Sequence, residues 1–222
     1  MSTAVTERCT IPVKGGVEDW KNQLKQFLQM LRKQDGYLRT RWGPCSEDMQ
    51  RLELLIGKSL VPSPYLPHTA APEVTTAVAV GRWESVEACK TWKSSPAFSE
   101  SFGQMEAVQS GDATSYFLRF QPYAPKEVIG APIVEVLTYT GCTVLEDQLR
   151  AHVEKAKSIA GCTGVASGFS LDKEGVFVAV VGWSGIGASK EADKSLYVTA
   201  AGVTPETYHV NFNFPIKGFG GL

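Results

Sequence analysis

The sequence predicts an α+β fold in which one βαββαβ unit occurs twice. A shift of 128 positions aligns 5–10 with 133–138 and places Glu on Glu and Thr on Thr. A shift of 93 positions aligns TSYFLRFQP (114–122) with TYHVNFNFP (207–215). Between the matched regions, the stretch PYAPKEVIGAP is rich in Pro and Gly and has the composition of a linker.

The first elements follow the same order in both halves. Each half begins with a strand of alternating pattern, at 5–11 and at 133–139. An amphipathic helix follows, with apolar residues at helical spacing. Its apolar stripe consists of Trp20, Leu24, Phe27, Leu28 and Leu31 in the first half, and of Leu145, Leu149, His152, Val153, Ala156 and Ile159 in the second.

Two strands, a second helix and a last strand complete each half. The second helix is clear at WESVEACKTW (83–92), whereas Gly185 and Gly187 interrupt its counterpart. This order is that of a ferredoxin-like unit, which has helices on one face of its sheet and leaves the other face uncovered. We therefore predict two tandem ferredoxin-like repeats, 1–124 and 130–222, packed sheet to sheet as an intramolecular α/β barrel.

Composition argues against several classes of function. The chain has 222 residues and a net charge of -1, without the basic excess of a nucleic-acid-binding protein. It has no apolar run long enough to span a membrane and no secretory signal pattern. Five cysteines lack metal-ligand spacing and indicate reduced thiols in a cytoplasmic protein. We expect no cofactor, no metal and no membrane or nucleic-acid partner.

The first half contains extra residues after its third strand. Removal of 58–81 joins RLELLIG to RWESVEACK and makes the two halves similar in length. This stretch of 24 residues contains four prolines and His68. Two interpretations stay open: an extended surface loop with an added strand at VTTAVAV, and a retained intron.

The junction of the third strand with the second helix carries a family resemblance. It reads GRWESVEACKTW (81–92) followed by SPAF (95–98) in the first half, and VVGWSG (180–185) in the second. With the repeated βαββαβ order, it resembles the dimeric α/β-barrel superfamily, including antibiotic-biosynthesis-monooxygenase-like domains, and looks most like the tandem fungal versions. The resemblance covers nearly the whole chain. It implies the fold, whereas the activities of the family range from cofactor-free oxygenation to stress proteins of no known chemistry.

Two active sites of that family do not carry over. Its haem degraders have an Asn-Trp-His set, and no histidine here matches it. Plant polyketide cyclases of this fold have an HPxH stretch after the second helix. The similar position here reads Ser95-Pro96-Ala97-Phe98, so Phe98 replaces the catalytic histidine.

The candidate catalytic residues are His152, Glu135 and Tyr139. His152 lies on the apolar stripe where the first half has Leu24, and it is either a general acid–base group or a structural histidine. Glu135 matches Glu7 and is either a general base or part of a structural ion pair. Tyr139 either orients a ligand oxygen or belongs to the core.

Candidate substrate contacts also lie in the second half: His209, Tyr208, Phe169 and Trp183. His209 shares its strand face with Asn211 and Asn213, which favours a rim position, and its first-half equivalent is Tyr116. Trp183 is a candidate contact whose pattern is also typical of helix–sheet packing.

Two further expectations concern the interior. For Glu7, Arg39 and Arg41 could supply the cationic partner. Ala156 replaces Leu28 on the helix stripe of the second half, and glycines interrupt its second helix. These smaller side chains in the second half predict an open pocket there, and the larger ones predict a packed first half.

Two functions are compatible with these features. The first is a cofactor-independent enzyme that cyclises, dehydrates or isomerises a hydrophobic polyketide- or terpenoid-like intermediate. The second is a non-catalytic small-molecule-binding or stress-associated protein. In both cases the expected partner is a hydrophobic small molecule. The barrel closes within one chain, so we expect a monomer, with further dimerisation through outer surfaces left open.

Overall fold

A computed structural model describes residues 4–33, 37–59, 90–91, 93–123, 126–200 and 202–214. The strands are β1 (Ala4–Pro12), β2 (Tyr37–Pro44), β3 (Arg51–Ser59), β4 (Thr114–Leu118), β5 (Ile133–Tyr139), β6 (Cys162–Phe169), β7 (Phe177–Trp183) and β8 (Glu206–Val210). They form two four-stranded antiparallel sheets with the orders β2-β3-β1-β4 and β6-β7-β5-β8. We call the part from β1 to β4 the first repeat and the part from β5 to β8 the second repeat.

The described helices are α1 (Val17–Leu31), α2 (Pro96–Glu106), α3 (Lys126–Ile129), α4 (Glu146–Val153) and α5 (Ile186–Glu191), with 3-10 turns at Glu154–Ser158 and Lys194–Leu196. None of these helices is long and apolar enough to cross a membrane. The predicted helix at 83–92 lies outside the described residues except for 90 and 91.

The sequence patterns account for the two first helices of the repeats. The Asp19 carboxylate accepts a hydrogen bond of 2.8 Å from the Gly16 amide and caps α1. The complete predicted stripe of α1 is buried. In α4, Leu149 and Val153 are buried as predicted, but Leu145 is 72% exposed because it precedes the helix as its N-cap.

The two sheets pack face to face, and the helices cover their outer faces. Leu118 and Phe120 of the first repeat pack with Val134, Val136 and Val210 of the second in one buried cluster. The predicted α+β fold of two ferredoxin-like units packed sheet to sheet is therefore confirmed.

The strand registers show where the internal repeat holds. Thr6 pairs with Gly57, and Val134, which lies 128 positions after Thr6, pairs with Gly182. Gly57 and Gly182 are therefore equivalent. On β2, Arg39 pairs with Gly57. Arg39 is therefore the first-repeat equivalent of the β6 residue that pairs with Gly182.

The last strand requires a correction of one residue. Arg8 pairs with Tyr116, whereas its equivalent Val136 pairs with Tyr208. Tyr116 therefore corresponds to Tyr208, a shift of 92 rather than 93 positions. The first-repeat equivalent of His209 is Phe117, and the predicted equivalence with Tyr116 is wrong. The difference matters because a slip of one residue moves a side chain to the opposite face of the sheet.

The predicted insertion begins inside a strand. Lys58 and Ser59 pair with Val5 and Ala4 and continue β3. Residues 60–81 lie outside the described residues, so the loop and intron interpretations both stay predictions.

Candidate functional site

Each repeat buries a glutamate at the same point of its first strand. Glu7 is 3% exposed and Glu135 is 0% exposed. Glu7 forms an ion pair with Lys93, which lies just ahead of α2, and Glu135 forms one with Lys194. A buried carboxylate requires such a partner because desolvation of an isolated charge is costly.

The predicted partners of Glu7 were wrong. Arg39 and Arg41 lie on β2, which β3 separates from the strand of Glu7. The Arg41 guanidinium instead contacts the Asn213 side chain of the second repeat at 3.2 Å. No spacing rule links Lys93 to Glu7, because the lysine comes from a different element far along the chain.

A cavity of about 210 Å³ lies beside the ion pair of the first repeat, between the sheet and helices α1 and α2. Its lining residues are Glu7, Cys9, Phe27, Leu31, Ile56, Lys93, Phe98, Phe102, Ala113 and Ser115. The Lys93 ammonium donates a hydrogen bond of 2.6 Å to the Ser115 hydroxyl and pairs with Glu7. The cavity thus combines apolar walls with a single cluster of polar groups.

The phenylalanines of the cavity wall hold one another in place. Phe98 and Phe102 are one helical turn apart on α2, and their rings stack with centroids 5.2 Å apart. Phe102 also meets Phe27 of α1 edge to face at 5.4 Å. The start of α2 is fixed by the Ser95 hydroxyl, which accepts a hydrogen bond of 3.3 Å from the Phe98 amide. Phe98 therefore contributes to the cavity wall.

Cys9 lines the same cavity but is not a nucleophile. Burial, and after it the charge of Glu7, raises the pKa of the Cys9 thiol to about 12. The thiolate is the reactive form of cysteine. At neutral pH Cys9 therefore acts as a small apolar side chain.

The ion pair of the second repeat is enclosed by further donors. Besides Lys194, the Glu135 carboxylate accepts hydrogen bonds from Trp183 Nε1 at 3.1 Å and from the Tyr197 hydroxyl at 2.7 Å. The Tyr139 hydroxyl donates to the Val198 carbonyl at 2.8 Å. Burial, and after it the charge of Glu135, raises the pKa values of both tyrosines, so they stay protonated donors.

The strand residues explain why the two repeats differ. At matched strand positions, Cys9 corresponds to Leu137, Ile11 to Tyr139 and Lys58 to Trp183. In the second repeat these larger side chains pack with Tyr197 in one fully buried cluster. Among the described residues, the predicted open pocket is therefore not found around Glu135, because that prediction considered the helix stripes and not the strands beneath them.

His209 is buried and not at the rim. Its Nδ1 and its backbone amide both contact the Glu47 carboxylate, and its Nε2 lies 2.7 Å from the Ser189 hydroxyl. A carboxylate only accepts hydrogen bonds, so in the neutral ring Nδ1 carries the hydrogen and Nε2 accepts from Ser189. The expectation of a rim position was wrong because β8 ends at Val210, so Asn211 and Asn213 lie beyond the strand and do not indicate the environment of His209.

This Ser189–His209–Glu47 arrangement has the connectivity of a catalytic triad, but its serine is closed off. Ser189 is 0% exposed, and its hydroxyl also accepts a hydrogen bond of 3.0 Å from Lys194. A nucleophile needs access to its substrate. The chain of contacts therefore links Glu47 of the first repeat to the buried Glu135 of the second and serves as a connection between repeats.

Tyr208 belongs to a different network, between the two sheets. Its hydroxyl donates to Glu53 at 3.1 Å. The same Glu53 carboxylate accepts from Arg8 Nε at 2.5 Å, and Arg8 Nη1 donates to the Thr138 hydroxyl at 2.8 Å. These buried contacts connect the repeats across the barrel interior, on the opposite face of the sheet from Glu135.

The other sequence-predicted residues lie at the edges. His152 is half-buried on α4, with its Nδ1 3.4 Å from the Lys155 ammonium. Burial, and after it the charge of Lys155, lowers the pKa of His152. Phe169 is half-buried and meets Phe177 edge to face at 5.2 Å. The structure thus brings Glu135, Trp183 and His209 into one network and leaves His152 and Phe169 outside it.

Sequence reasoning missed the polar groups that organise both sites. Lys93, Lys194 and Ser189 lie in or near the second-helix regions, where residue spacing carries no information about the strands. A comparison of strand residue sizes, Cys9 against Leu137, would have indicated the cavity. Among the described residues, no group of three His, Cys, Asp or Glu side chains could hold a metal ion.

No family model and no curated protein matches the sequence. Solved structures match its fold. An anthrone oxidase-like protein has a TM-score of 0.58 at 9% identity, covering 94% of this chain and 92% of its own. A candidate chlorite dismutase has a TM-score of 0.55 at 9% identity, covering 95% of both chains. A candidate monooxygenase from Lactobacillus acidophilus has a TM-score of 0.50 at 8% identity, covering 94% of this chain and 93% of its own. The chain therefore shares its fold, two ferredoxin-like units packed sheet to sheet, with these solved structures.

Proposed function

We propose that the chain is a cofactor-independent enzyme that transfers a proton to or from a small hydrophobic molecule in the cavity of the first repeat. One observation carries this proposal: the buried Glu7–Lys93 pair borders an apolar cavity. The matched Glu135 pair is instead enclosed by Trp183 and Tyr197. A charged group held at the edge of an apolar cavity is a typical arrangement for acid–base catalysis.

The residues divide the chemistry between them. The Glu7 carboxylate accepts a proton from an acidic C–H or O–H bond of the bound molecule, and the electron pair of that bond stays on the molecule. The Lys93 ammonium, oriented by Ser115, stabilises the oxygen on which the negative charge develops. The protonated Glu7 then returns the proton to the product.

This proton transfer can begin several reactions. Return of the proton at another atom gives isomerisation, and loss of hydroxide or attack on a second carbonyl of the molecule gives dehydration or cyclisation. Reaction of the same anion with dioxygen as the oxidant gives oxygenation. Two of the structural neighbours are named for oxidative chemistry, an anthrone oxidase-like protein and a monooxygenase, and these names favour including oxygenation.

The test is a proton-exchange assay that does not depend on the later steps. β-Tetralone, a two-ring ketone with acidic C–H bonds, is incubated with the protein in heavy water under nitrogen, and NMR follows the uptake of deuterium. Glu7→Gln should lower the protein-dependent rate by about 10²–10⁴-fold. If the wild-type protein does not accelerate exchange in β-tetralone, indanone or anthrone above the buffer rate, the proposal is wrong.

The second-repeat residues provide the competing site in the same assay. If His152→Ala, Glu135→Gln or Tyr139→Phe abolishes exchange in a folded protein while Glu7→Gln does not, the active site lies in the second repeat. Binding of the ketones without any exchange would favour the non-catalytic small-molecule-binding function. Circular dichroism of each variant establishes that it is folded.

A further inference from the structure

The size and charge of the first-repeat cavity restrict the molecules it can hold. We infer that its ligand is a neutral molecule of one substituted ring or two fused rings that carries a carbonyl or hydroxyl oxygen, and that three-ring and larger polycycles bind more weakly. The role of this molecule as a substrate rests on the proposed function, whereas its binding does not.

The volume of the cavity sets the size of the ligand that its walls can enclose. The cavity holds about 210 Å³. An apolar cavity of about 150 Å³ is sufficient for benzene. The difference leaves room for a few more atoms, and the cavity is open on one side, so roughly eight to eleven non-hydrogen atoms fit, which corresponds to a substituted ring or two fused rings.

The walls resist expansion. Phe102 stacks on Phe98 and meets Phe27 edge to face, so rotation of its ring would break both contacts. Such aromatic pairs contribute beyond the area that they bury. Leu31, on the same face of α1 one turn after Phe27, lies in the buried core of the repeat. A three-ring ligand would have to displace these residues from a close-packed cluster.

The polar cluster selects a neutral ligand. The charges of Glu7 and Lys93 compensate each other, so a permanently charged ligand would leave one charge of the buried group unbalanced. The lysine also contacts the Ser115 hydroxyl, and together these donors suit a carbonyl or hydroxyl oxygen. The remaining lining residues are apolar and suit the rings.

Isothermal titration calorimetry with a graded ligand series tests the inference. Indanone and β-tetralone represent the predicted class, anthrone adds a third ring, and naphthalene carboxylate adds a charge. We expect the two-ring ketones to bind at least about tenfold more tightly than anthrone and the carboxylate. Equal or tighter binding of either comparison compound would overturn the inference.

Two variants change the cavity in opposite directions without altering the ion pair. Cys9→Leu introduces the residue that the second repeat has at Leu137 and should weaken β-tetralone binding by at least about tenfold. Phe102→Ala enlarges the cavity and should improve anthrone binding by at least about tenfold. If a folded Cys9→Leu protein binds β-tetralone as the wild type does, the ligand lies elsewhere.

The outcomes separate this inference from the proposed function. If the protein exchanges anthrone faster than β-tetralone and Glu7→Gln abolishes this exchange, the proposed function is supported and the size limit is wrong. If β-tetralone binds, Cys9→Leu abolishes its binding and no exchange is catalysed, the size limit is supported and the proposed function is wrong.

Discussion

The two repeats bury the same Glu–Lys pair in different surroundings. In the first repeat, small strand residues such as Cys9 leave a cavity beside Glu7. In the second, Trp183 and Tyr197 donate hydrogen bonds to Glu135 and belong to a fully buried cluster. A buried ion pair is therefore not by itself a sign of function, because the size of its neighbours decides whether a ligand can reach it.

The two repeats also differ in what their ion pairs contribute. The Glu135 network continues through Lys194 and Ser189 to His209 and then to Glu47 of the first repeat. This network connects the two repeats on the outer face of the second sheet. We therefore expect substitutions in it to change the free energy of unfolding, whereas substitutions at the first-repeat pair change binding and turnover.

The largest expected effect comes from removing one lysine from each repeat. Lys194→Met leaves Glu135 as an uncompensated buried charge and should lower the free energy of unfolding by about 3–5 kcal/mol. Lys93→Met should cost less, about 1–3 kcal/mol, because water can enter the cavity beside Glu7. Urea unfolding of both variants measures the difference. Equal losses would mean that the two ion pairs have the same surroundings in solution.

Much of the fold was predictable from the sequence because it depends on patterns that repeat. The match of Glu7 with Glu135 identified the duplication, and strand alternation with the helix stripe of α1 gave the order of elements. The one-residue error on the last strand arose because sequence identity favoured aligning Tyr116 with His209. Hydrogen-bond register, which requires pairing with β1 and β5, aligns Tyr116 with Tyr208 instead.

The site was less predictable because its geometry depends on contacts between distant elements. The sequence drew attention to Glu135 and Tyr139, and the structure places both among core aromatic residues. Lys93 and Ser115, which shape the polar end of the cavity, belong to no motif. The contact between Glu47 and His209 crosses between the repeats and depends on how the two sheets pack.

A substitution of intermediate effect makes the second repeat resemble the first. His209→Phe introduces the residue found at the equivalent Phe117, and it leaves the Ser189 hydroxyl without one partner inside the protein. We expect a loss of about 1–3 kcal/mol in the free energy of unfolding, measured with urea at neutral pH. A loss close to zero would show that the contacts of His209 do not connect the repeats.

The same variant has a consequence for acid stability. Burial alone would raise the pKa of the Glu47 carboxyl, but hydrogen bonds from the His209 amide and ring outweigh it and lower that pKa. Such a carboxyl stabilises the folded state fully when the pH is above the pKa of the unfolded chain, near 4.5. This stabilisation is lost as the pH falls through the lower pKa of the folded state. His209→Phe removes the ring contact and keeps the amide contact, so it should reduce this pH dependence, measured as the free energy of unfolding in urea below about pH 6.

The smallest expected effect concerns His152, which α4 places at the edge of the second repeat. Burial and the Lys155 charge lower its pKa, so the unfolded chain binds the proton more readily than the folded protein. The free energy of unfolding should therefore be highest when the pH is above the pKa of this histidine in the unfolded chain, near 6.5. It should decline slightly as the pH falls below that pKa. His152→Gln should remove this decline, measured as unfolding free energy in urea from neutral to mildly acidic pH. Its first-repeat equivalent, Leu24, is buried and cannot titrate. A decline that persists unchanged in His152→Gln would show that His152 is not its source.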